Sequence, residues 1–394
     1  MKIFNSLGSN YKLDFAMKAL FSVGSESSRI NLLKNLEENF GGKAFLFYKG
    51  RSAIEEGLRI LNLKSDDLVA INGFTCYAVY KAIENANLKT HLVDTEKDDL
   101  NFSPKALENA IKNNPRIKVV IVQNTLGFPC DIESIIRICN DNGLILIEDL
   151  AHSVGSQYKN GKAAGSVGDL VILSFSQDKI IDGISGGALI IRNATYNYVS
   201  KKLESPKFSQ QLKDRFYPFL TLLIRNSYGF LFGKLIHHAL RKIDFLSLPM
   251  ESSKVSKTIS DWYCNLILTQ IKAQQKNLEH RRKIARIYDD LLTEKVKIKS
   301  VTEAINFSTN LRFPILVDGR SNIIKLLKSK GIYISDIWYD SPIAPKRFMS
   351  KIDYKNDCPI SEEISEKILN LPTHINITEE EASDISKFLN SCLK

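Results

Sequence analysis

Between about residue 45 and residue 195, short runs of apolar residues alternate with amphipathic helical patterns. The runs are continuously apolar, which is typical of strands buried on both faces. Strands are predicted at 68–71, 91–93, 119–123, 144–147, 171–174 and 188–191. Helices are predicted at 52–61, 76–86, 104–113 and 131–142. This alternation predicts an α/β fold in which helices cover a large, mostly parallel sheet.

The regions on either side of this alternation differ from it. An amphipathic helix is predicted at 29–40, before the first strand. After residue 258, a long helix at 262–293 precedes an α+β region with strands at 310–316 and 332–338 and helices at 321–330 and from Glu379. Two domains are therefore predicted: a large one at 1–250 and a small C-terminal one at 251–394.

The segment from residue 201 to residue 258 interrupts the regular pattern. It is rich in apolar residues, and its 201–242 part holds nine Lys or Arg but only two Asp or Glu. One interpretation is an inserted helix pair that packs on the body of the protein or on a second copy. The other is an interfacial segment at 212–242 that contacts a membrane, with the basic side chains at the lipid headgroups.

Composition narrows the function classes. The net charge of +10 would suit nucleic acid, anionic lipid or phosphorylated small molecules. Nucleic-acid binding is not expected, because no module signature accompanies the charge. Six cysteines lie far apart without a CxxC pair. They predict reduced thiols in a cytoplasmic protein, with no disulfide framework and no metal site, and the N-terminal residues do not resemble a secretory signal.

A carboxylate and a lysine stand at positions that suit one particular cofactor. Asp149 lies just beyond the predicted strand 144–147, and ligands of open α/β sheets bind beyond the carboxyl ends of strands. Lys179 follows another β-rich run and precedes the Gly-rich turn 183–187. A lysine that forms an imine and an acid that keeps a pyridine nitrogen protonated are what pyridoxal phosphate (PLP) requires. A helix N-cap is the alternative role for Asp149.

A phosphate site is predicted close by. Gly50, Arg51 and Ser52 head a helical pattern, where backbone N–H groups suit an anion. Ser174, five residues before Lys179, can add a hydroxyl from the other side. An ordinary loop and helix cap is the alternative interpretation of the residues around Gly50.

Together these residues resemble a known family, the DegT/StrS-type sugar-nucleotide aminotransferases among the fold-type-I PLP enzymes. The resemblance runs from residues 36–40 to Leu371-Pro372. Its motifs are Gly50-Arg51-Ser52-Ala53, Phe74-Thr75, 127–131, Glu148-Asp149-Leu150-Ala151-His152, 165–169, 174–179, Gly186-Gly187, 281–288 and Cys358-Pro359. It implies a large PLP-binding domain, a smaller C-terminal domain and a homodimer in which each active site is completed by the partner chain.

The resemblance also implies roles for individual residues. Lys179 would form the imine and move the proton, Asp149 would pair with the pyridine nitrogen, and His152 would bond the phenolic oxygen. A buried structural histidine is the alternative for His152. Ser174, Arg51 and Ser52 would hold the phosphate. The remaining predicted cofactor contacts are Gly50, Cys76, Tyr77 and Asn124, and Trp338 and Tyr339 are predicted beside the sugar.

The implied reaction moves an amino group from an amino acid, often glutamate, to a nucleotide-linked keto sugar, for polysaccharide, glycan or antibiotic sugar biosynthesis. Two alternatives stay open: a PLP-dependent sugar dehydratase or lyase, and a non-catalytic subunit that docks on a membrane or a glycan-assembly partner. Dehydratases of this type replace the lysine with histidine, so Lys179 argues against that course.

The chain departs from the family pattern at two places. Cys76, followed by Tyr77, stands where the family often has an aromatic residue stacked on the cofactor ring. An Asn-x-Arg segment that reaches the partner's site is absent near Lys257, Thr258 and Ile259. This absence leaves the amino-donor carboxylate and the cross-dimer phosphate contact without an assigned residue. Our hypothesis at this point is that Arg51 supplies part of the missing charge.

Overall fold

A computed structural model of the chain describes residues 2–199, 202–230, 232–246, 256–334 and 339–393. The strands are β1 (Ile3–Phe4), β2 (Lys43–Phe47), β3 (Leu68–Asn72), β4 (Thr75–Cys76), β5 (Lys89–Val93), β6 (Ile117–Val122), β7 (Ile145–Asp149), β8 (Leu170–Ser174), β9 (Gly187–Ile191), β10 (Phe313–Leu316), β11 (Ile332–Tyr333), β12 (Ile343–Ala344) and β13 (Ile368–Leu371). The α-helices are α1 (Leu13–Phe21), α2 (Glu26–Phe40), α3 (Gly50–Arg59), α4 (Tyr77–Asn85), α5 (Pro104–Asn113), α6 (Ile132–Asp141), α7 (Phe208–Ser227), α8 (Phe232–Lys242), α9 (Asp261–Leu291), α10 (Lys299–Ala304), α11 (Arg320–Ser329), α12 (Pro359–Lys367) and α13 (Glu379–Cys392). Short 3-10 helices lie at Thr125–Gly127, Tyr228–Phe230, Glu294–Val296 and Lys346–Lys351.

The centre of the fold is a seven-stranded sheet with the order β2-β9-β8-β7-β6-β3-β5. Strands β5, β3, β6, β7 and β8 are parallel to one another, and β9 is antiparallel to both of its neighbours. The predicted mostly parallel α/β sheet is therefore confirmed. Because the parallel strands run the same way, their carboxyl ends share one edge, which is where a ligand site is expected.

Alternate residues of the strands pack on opposite faces of the sheet. Val69 and Ile71 lie in an apolar cluster with side chains of α3 and α4, whereas Leu68 and Ala70 belong to the cluster on the other face. This two-residue period follows from the pleat of a strand. Both faces are covered, which explains why these strands are apolar at every position.

A third apolar cluster lies around the C-terminal elements, including β10, β13 and α13. The long helix α9 contributes to two clusters: Ile267 packs with the sheet cluster, and Ile284 packs with the C-terminal one. The predicted domain boundary at residues 250 and 251 lies outside the described residues. The two-domain division therefore stays a prediction.

The described part of the 201–258 insertion forms two helices. Helix α7 packs against α1, and α8 packs against α7. Side chains of α7 reach deep into the protein, where Asp214 and Thr221 are fully buried. The insertion thus packs on the body of the same chain. Within the described residues, none of the helices is both long enough and apolar enough to cross a bilayer.

Candidate active site

A cavity opens beyond the carboxyl ends of β7 and β8. Asp149 is the last residue of β7, Ser174 is the last residue of β8, and Lys179 lies in the loop that follows. The predicted residues that line the cavity are Gly50, Arg51, Cys76, Asp149, His152, Ser174, Lys179 and Tyr339. Other lining residues include Lys49, Gln123, Ser176, Gln177 and Pro345. The sequence thus brings together, at one edge of the sheet, residues that lie far apart in the chain.

Asp149 is a buried carboxyl group that a cation would stabilise. Burial raises its pKa to about 6, while the Ala151 N–H, the charge of Lys179 and a hydrogen bond with Gln123 oppose this effect. The Ala151 N–H donates to Asp149 Oδ1 at 3.0 Å. Residues 151–155 form turns and not a helix, so Asp149 does not serve as a helix N-cap. A protonated pyridine nitrogen would offset the cost of burying this charge.

Gln123 fixes the geometry around Asp149. The hydroxyl of Thr75 donates to Gln123 Oε1 at 2.6 Å, which leaves the amide nitrogen of Gln123 as the donor toward the carboxylate. Gln123 follows the carboxyl end of β6, the neighbour of β7 in the sheet. In the sequence, only its position at the end of the predicted strand 119–123 indicated a role in the site.

Lys179 is held by a tight loop between β8 and β9. The loop is closed at its base, where the Phe175 N–H donates to the Gly186 carbonyl at 2.9 Å and the Gly183 N–H donates to the Phe175 carbonyl at 2.9 Å. Asp178 adopts a left-handed conformation with φ of 62°. Burial lowers the pKa of the Lys179 ammonium, although Cys76, Asp149 and Asp178 oppose this. A lower pKa favours the neutral amine, which is the nucleophilic form.

His152 is a neutral, oriented imidazole in the cavity wall. Its Nδ1 accepts from the Leu126 N–H at 3.2 Å, which makes Nε2 the protonated nitrogen of the neutral ring. Burial lowers its pKa well below the ordinary value, and the charges of Lys179 and Arg312 add to this effect. The Tyr339 ring meets the His152 ring edge-on at a centroid distance of 6.4 Å. His152 is therefore suited to donate a hydrogen bond from Nε2.

The start of α3 forms a cradle that only glycine permits. A Cβ atom at Gly50 would lie 2.9 Å from Cβ and 3.1 Å from Oγ of Ser174. A Cβ atom at Gly187 would lie 2.5 Å from the Gly50 nitrogen. The N–H groups of a first helical turn lack partners inside the helix, so they bind anions well. The close approach of Gly50 to the Ser174 side chain places a hydroxyl beside this helix start, which fits the phosphate of PLP.

Some predicted contacts lie away from the cavity wall. Ser52 lies in the first turn of α3, where its N–H donates to the Lys49 carbonyl at 3.1 Å. The Tyr77 ring stacks on Phe348 at 4.4 Å. None of Ser52, Tyr77 and Asn124 lines the cavity as described. Trp338 lies outside the described residues, so its predicted place beside the sugar stays a prediction.

The side chain of Asn124 instead stabilises the fold. Its Nδ2 donates to the Tyr158 hydroxyl at 3.2 Å, and its Oδ1 accepts from the Cys130 N–H at 3.0 Å. The residue is fully buried and has a left-handed backbone with φ of 47°. These contacts orient the turn that leads from β6 to α6.

Glu148, next to Asp149, organises a loop and does not line the cavity. Its Oε1 accepts from the Tyr158 hydroxyl and the Gly165 N–H, each at 2.7 Å. Its Oε2 accepts from the N–H groups of Val167 at 2.9 Å and Gly168 at 2.7 Å. The backbone of the 165–169 motif therefore binds the side chain of Glu148.

The segment at the expected Asn-x-Arg position runs along β2 of the same chain. The Tyr48 N–H donates to the Lys257 carbonyl at 2.8 Å, and the Thr258 hydroxyl donates to the Leu46 carbonyl at 3.3 Å. Ile259 is fully buried in the sheet cluster. In this chain the segment therefore supports the strand that leads to Lys49 and Gly50.

Comparison with known proteins agrees with this geometry. The sequence model of the DegT/DnrJ/EryC1/StrS aminotransferase family matches residues 42–390. The chain belongs to this family. It is also similar to GDP-perosamine synthase of Escherichia coli O157:H7, with 23% identity over 372 residues that cover 92% of this chain and 91% of that protein.

Two solved structures have the same fold. One is PseC of Helicobacter pylori, an aminotransferase involved in the biosynthesis of pseudoaminic acid, with a TM-score of 0.73, 18% identity and coverage of 100% and 99% of the two chains. The other is the PLP form of Spr1654 of Streptococcus pneumoniae, with a TM-score of 0.71, 18% identity and coverage of 99% and 98%. The predicted fold and cofactor are confirmed: this aminotransferase is a PLP-dependent enzyme.

Proposed function

We propose that the enzyme transfers an amino group from an amino acid to a keto sugar linked to a nucleotide. The observation that carries this proposal is the convergence of Lys179, Asp149 and the cradle at Gly50 on one cavity of a family aminotransferase. One relative is named GDP-perosamine synthase, and the product in that name is a sugar linked to a nucleotide. Biosynthesis of a polysaccharide, glycan or antibiotic sugar is the corresponding cellular role, with the cytoplasm as the proposed location.

Each site residue has a proposed task. When bound, PLP supplies an electron sink that accepts and returns the amino group. Lys179 attaches the cofactor covalently and moves a proton, which requires the neutral amine that its burial favours. Asp149 keeps the ring nitrogen protonated, and His152 donates from Nε2 to the ring oxygen. The cradle at Gly50, with Ser174, holds the phosphate.

Tyr339 is the described residue that we propose for the sugar side of the site. It is 1% exposed and stacks at a tilt on Phe74 with a centroid distance of 4.7 Å. Burial and the proximity of Cys76 and Asp149 raise the pKa of its hydroxyl well above the usual range. The hydroxyl therefore stays protonated and can donate to an oxygen of the substrate.

The test uses a panel of GDP-, dTDP- and UDP-linked keto sugars with ¹⁵N-labelled glutamate. The proposal predicts ¹⁵N in the sugar product and 2-oxoglutarate in equal amount, and neither with Lys179→Ala. A sugar product without ¹⁵N would favour the dehydratase or lyase alternative. Binding of PLP with no conversion of any keto sugar would favour the non-catalytic subunit.

We propose a homodimer in which the outer face of α1, α7 and α8 packs on a second copy. Large apolar side chains are exposed there, and contiguous exposed apolar surface commonly marks an interface. They include Leu13, Phe21, Phe219, Leu223, Phe232 and Leu235. The membrane contact predicted for 212–242 is the alternative occupant of this face.

Sedimentation velocity of wild type and of the double variant Phe232→Glu, Leu235→Glu tests this proposal. We expect a dimer for the wild type and a monomer for the variant. A dimer in both, together with loss of binding to anionic vesicles in the variant alone, would assign the face to a membrane.

A further inference from the structure

We propose that Lys49, held in place by Asp214 of the insertion, is the cation that binds the cofactor phosphate in this chain. This inference rests on the proposed function, because it needs PLP to occupy the cavity. Helix α7 of the insertion thereby gains a task beyond packing on the body of the protein, on a second copy or on a membrane. The assignment of Lys49 also replaces our earlier hypothesis for Arg51.

Lys49 lies at the position from which a cation would act on the cradle. It directly precedes Gly50 and is the N-cap residue of α3, and its own side chain does not cap the helix. The residue is only 8% exposed and lines the cavity. A full positive charge at this point adds to the partial positive charge that the start of a helix already presents.

The ammonium group of Lys49 is tied to the Gly-rich turn beneath the cradle. Its Nζ donates to the Ser185 hydroxyl at 3.0 Å, and it lies 4.7 Å from the centroid of the Tyr48 ring. Ser185 stands two residues before Gly187, the residue whose missing Cβ admits the start of α3. The ammonium group is therefore fixed beside the elements that form the phosphate cradle.

Asp214 connects this group to the insertion. It is fully buried on α7, and its Oδ2 accepts from the hydroxyls of Tyr48 and Tyr263 at 2.6 Å each and of Ser185 at 3.2 Å. Its Oδ1 accepts from Gln210 at 3.1 Å. A buried carboxylate is tolerated only when donors surround it. These donors come from the residue that follows β2, from the loop that holds Lys179, from α7 and from α9. Helix α7 thereby positions Ser185 and, through it, Lys49.

The other basic residues of the cavity wall are better placed for other tasks. Among the described residues, the lysines and arginines that line the cavity are Lys49, Arg51 and Lys179. Electrostatic interaction with Cys76 opposes the lowering of the pKa of both Arg51 and Lys179 by burial. Arg51 and Lys179 thus share the proximity of Cys76, whereas the ammonium group of Lys49 contacts Ser185. Lys49 is therefore the cation that we assign to the phosphate, which carries a charge between −1.5 and −2 at about pH 7.

The experiment compares PLP with pyridoxal, which lacks the phosphate. Dissociation constants of both for the apoenzyme are measured by the absorbance of the bound cofactor in wild type, Lys49→Met and Lys43→Met. Lys43 is an exposed lysine on β2 and serves as the matched control. Because a hydrogen bond to a charged group contributes about 1.5–3 kcal/mol, Lys49→Met should weaken PLP binding about ten- to a hundredfold. Pyridoxal binding should change less than about twofold.

The positioning role of Asp214 is tested with Asp214→Asn, which keeps the shape of the side chain. We expect PLP binding to weaken several-fold with pyridoxal binding unchanged, and the ³¹P resonance of bound PLP to shift. If Lys49→Met fails to fold, the PLP and pyridoxal affinities of Asp214→Asn test the inference instead.

Equal loss of PLP and pyridoxal binding, or unchanged PLP binding in Lys49→Met, would overturn the inference. In that case the wild type would still bind PLP, so the proposed function would stand. A wild type that binds neither compound would instead refute both.

Discussion

Asp149→Asn is predicted to stabilise the apoenzyme while it weakens cofactor binding. Burial raises the pKa of Asp149 from 3.8 to about 6, so ionising it costs more in the folded than in the unfolded chain. The folded state binds the proton more tightly, and its stability falls as the pH rises from about 4 to about 6. This rise in the pKa corresponds to a penalty of about 3 kcal/mol at pH 7.5 and about half of that at pH 5.

Asparagine removes this penalty because it carries no charge. With an unfolding entropy of about 2.1 cal/mol/K per residue, 3 kcal/mol corresponds to a rise in Tm of about 3–4 °C for 394 residues. Differential scanning calorimetry of the apoenzyme at pH 7.5 and pH 5 measures this rise, with the exposed Asp66→Asn as control.

Addition of PLP should reverse the order of the two proteins, because asparagine cannot pair as an anion with the ring nitrogen. An Asp149→Asn apoenzyme that is less stable than wild type at pH 7.5 would contradict this reasoning. An equal rise in Tm at pH 7.5 and at pH 5 would also contradict it.

Three further predictions concern the surroundings of the site. Glu148→Gln should lower the free energy of unfolding by about 2–4 kcal/mol in urea titrations, because four donors lose a charged acceptor; an unchanged midpoint would contradict this. Gly187→Ala should weaken PLP binding at least tenfold, since the new Cβ would displace the start of α3, and equal affinity for variant and wild type would refute the cradle. Arg281→Met should lower the free energy of unfolding by about 3 kcal/mol or more in urea titrations, because the carbonyl of Leu311 and Oδ1 of Asn10 lose a buried donor. The neighbouring Arg282→Met should lower it less, because the guanidinium of Arg282 is less buried.

The strands of the sheet centre could be predicted because burial on both faces makes them apolar at every position. Each of the six predicted strands is present within a few residues of its predicted bounds, and α5 begins and ends where predicted. The edge strand β2 was missed although four apolar residues follow Lys43, because it lies outside the parallel alternation and pairs antiparallel with β9. Strand β13 was missed because it follows α12 without a turn residue between them.

The site could be predicted where the fold itself brings strand ends together. Asp149 and Ser174 close neighbouring parallel strands, so their convergence follows from the sheet. The contact between Tyr48 and Asp214 joins residues 166 positions apart through an inserted helix, and no local pattern reports it. Lys49 was overlooked for the same reason, because its partners become visible only when α7 is packed on the sheet.

We propose that Lys179, and not Lys49, attaches the cofactor in the cavity that both lysines line. Reduction of the holoenzyme with sodium borohydride, followed by proteolysis and mass spectrometry of the peptides, tests it directly. We expect a phosphopyridoxyl group on Lys179 and an unmodified Lys49. A reduced cofactor on Lys49, or on neither residue, would contradict it.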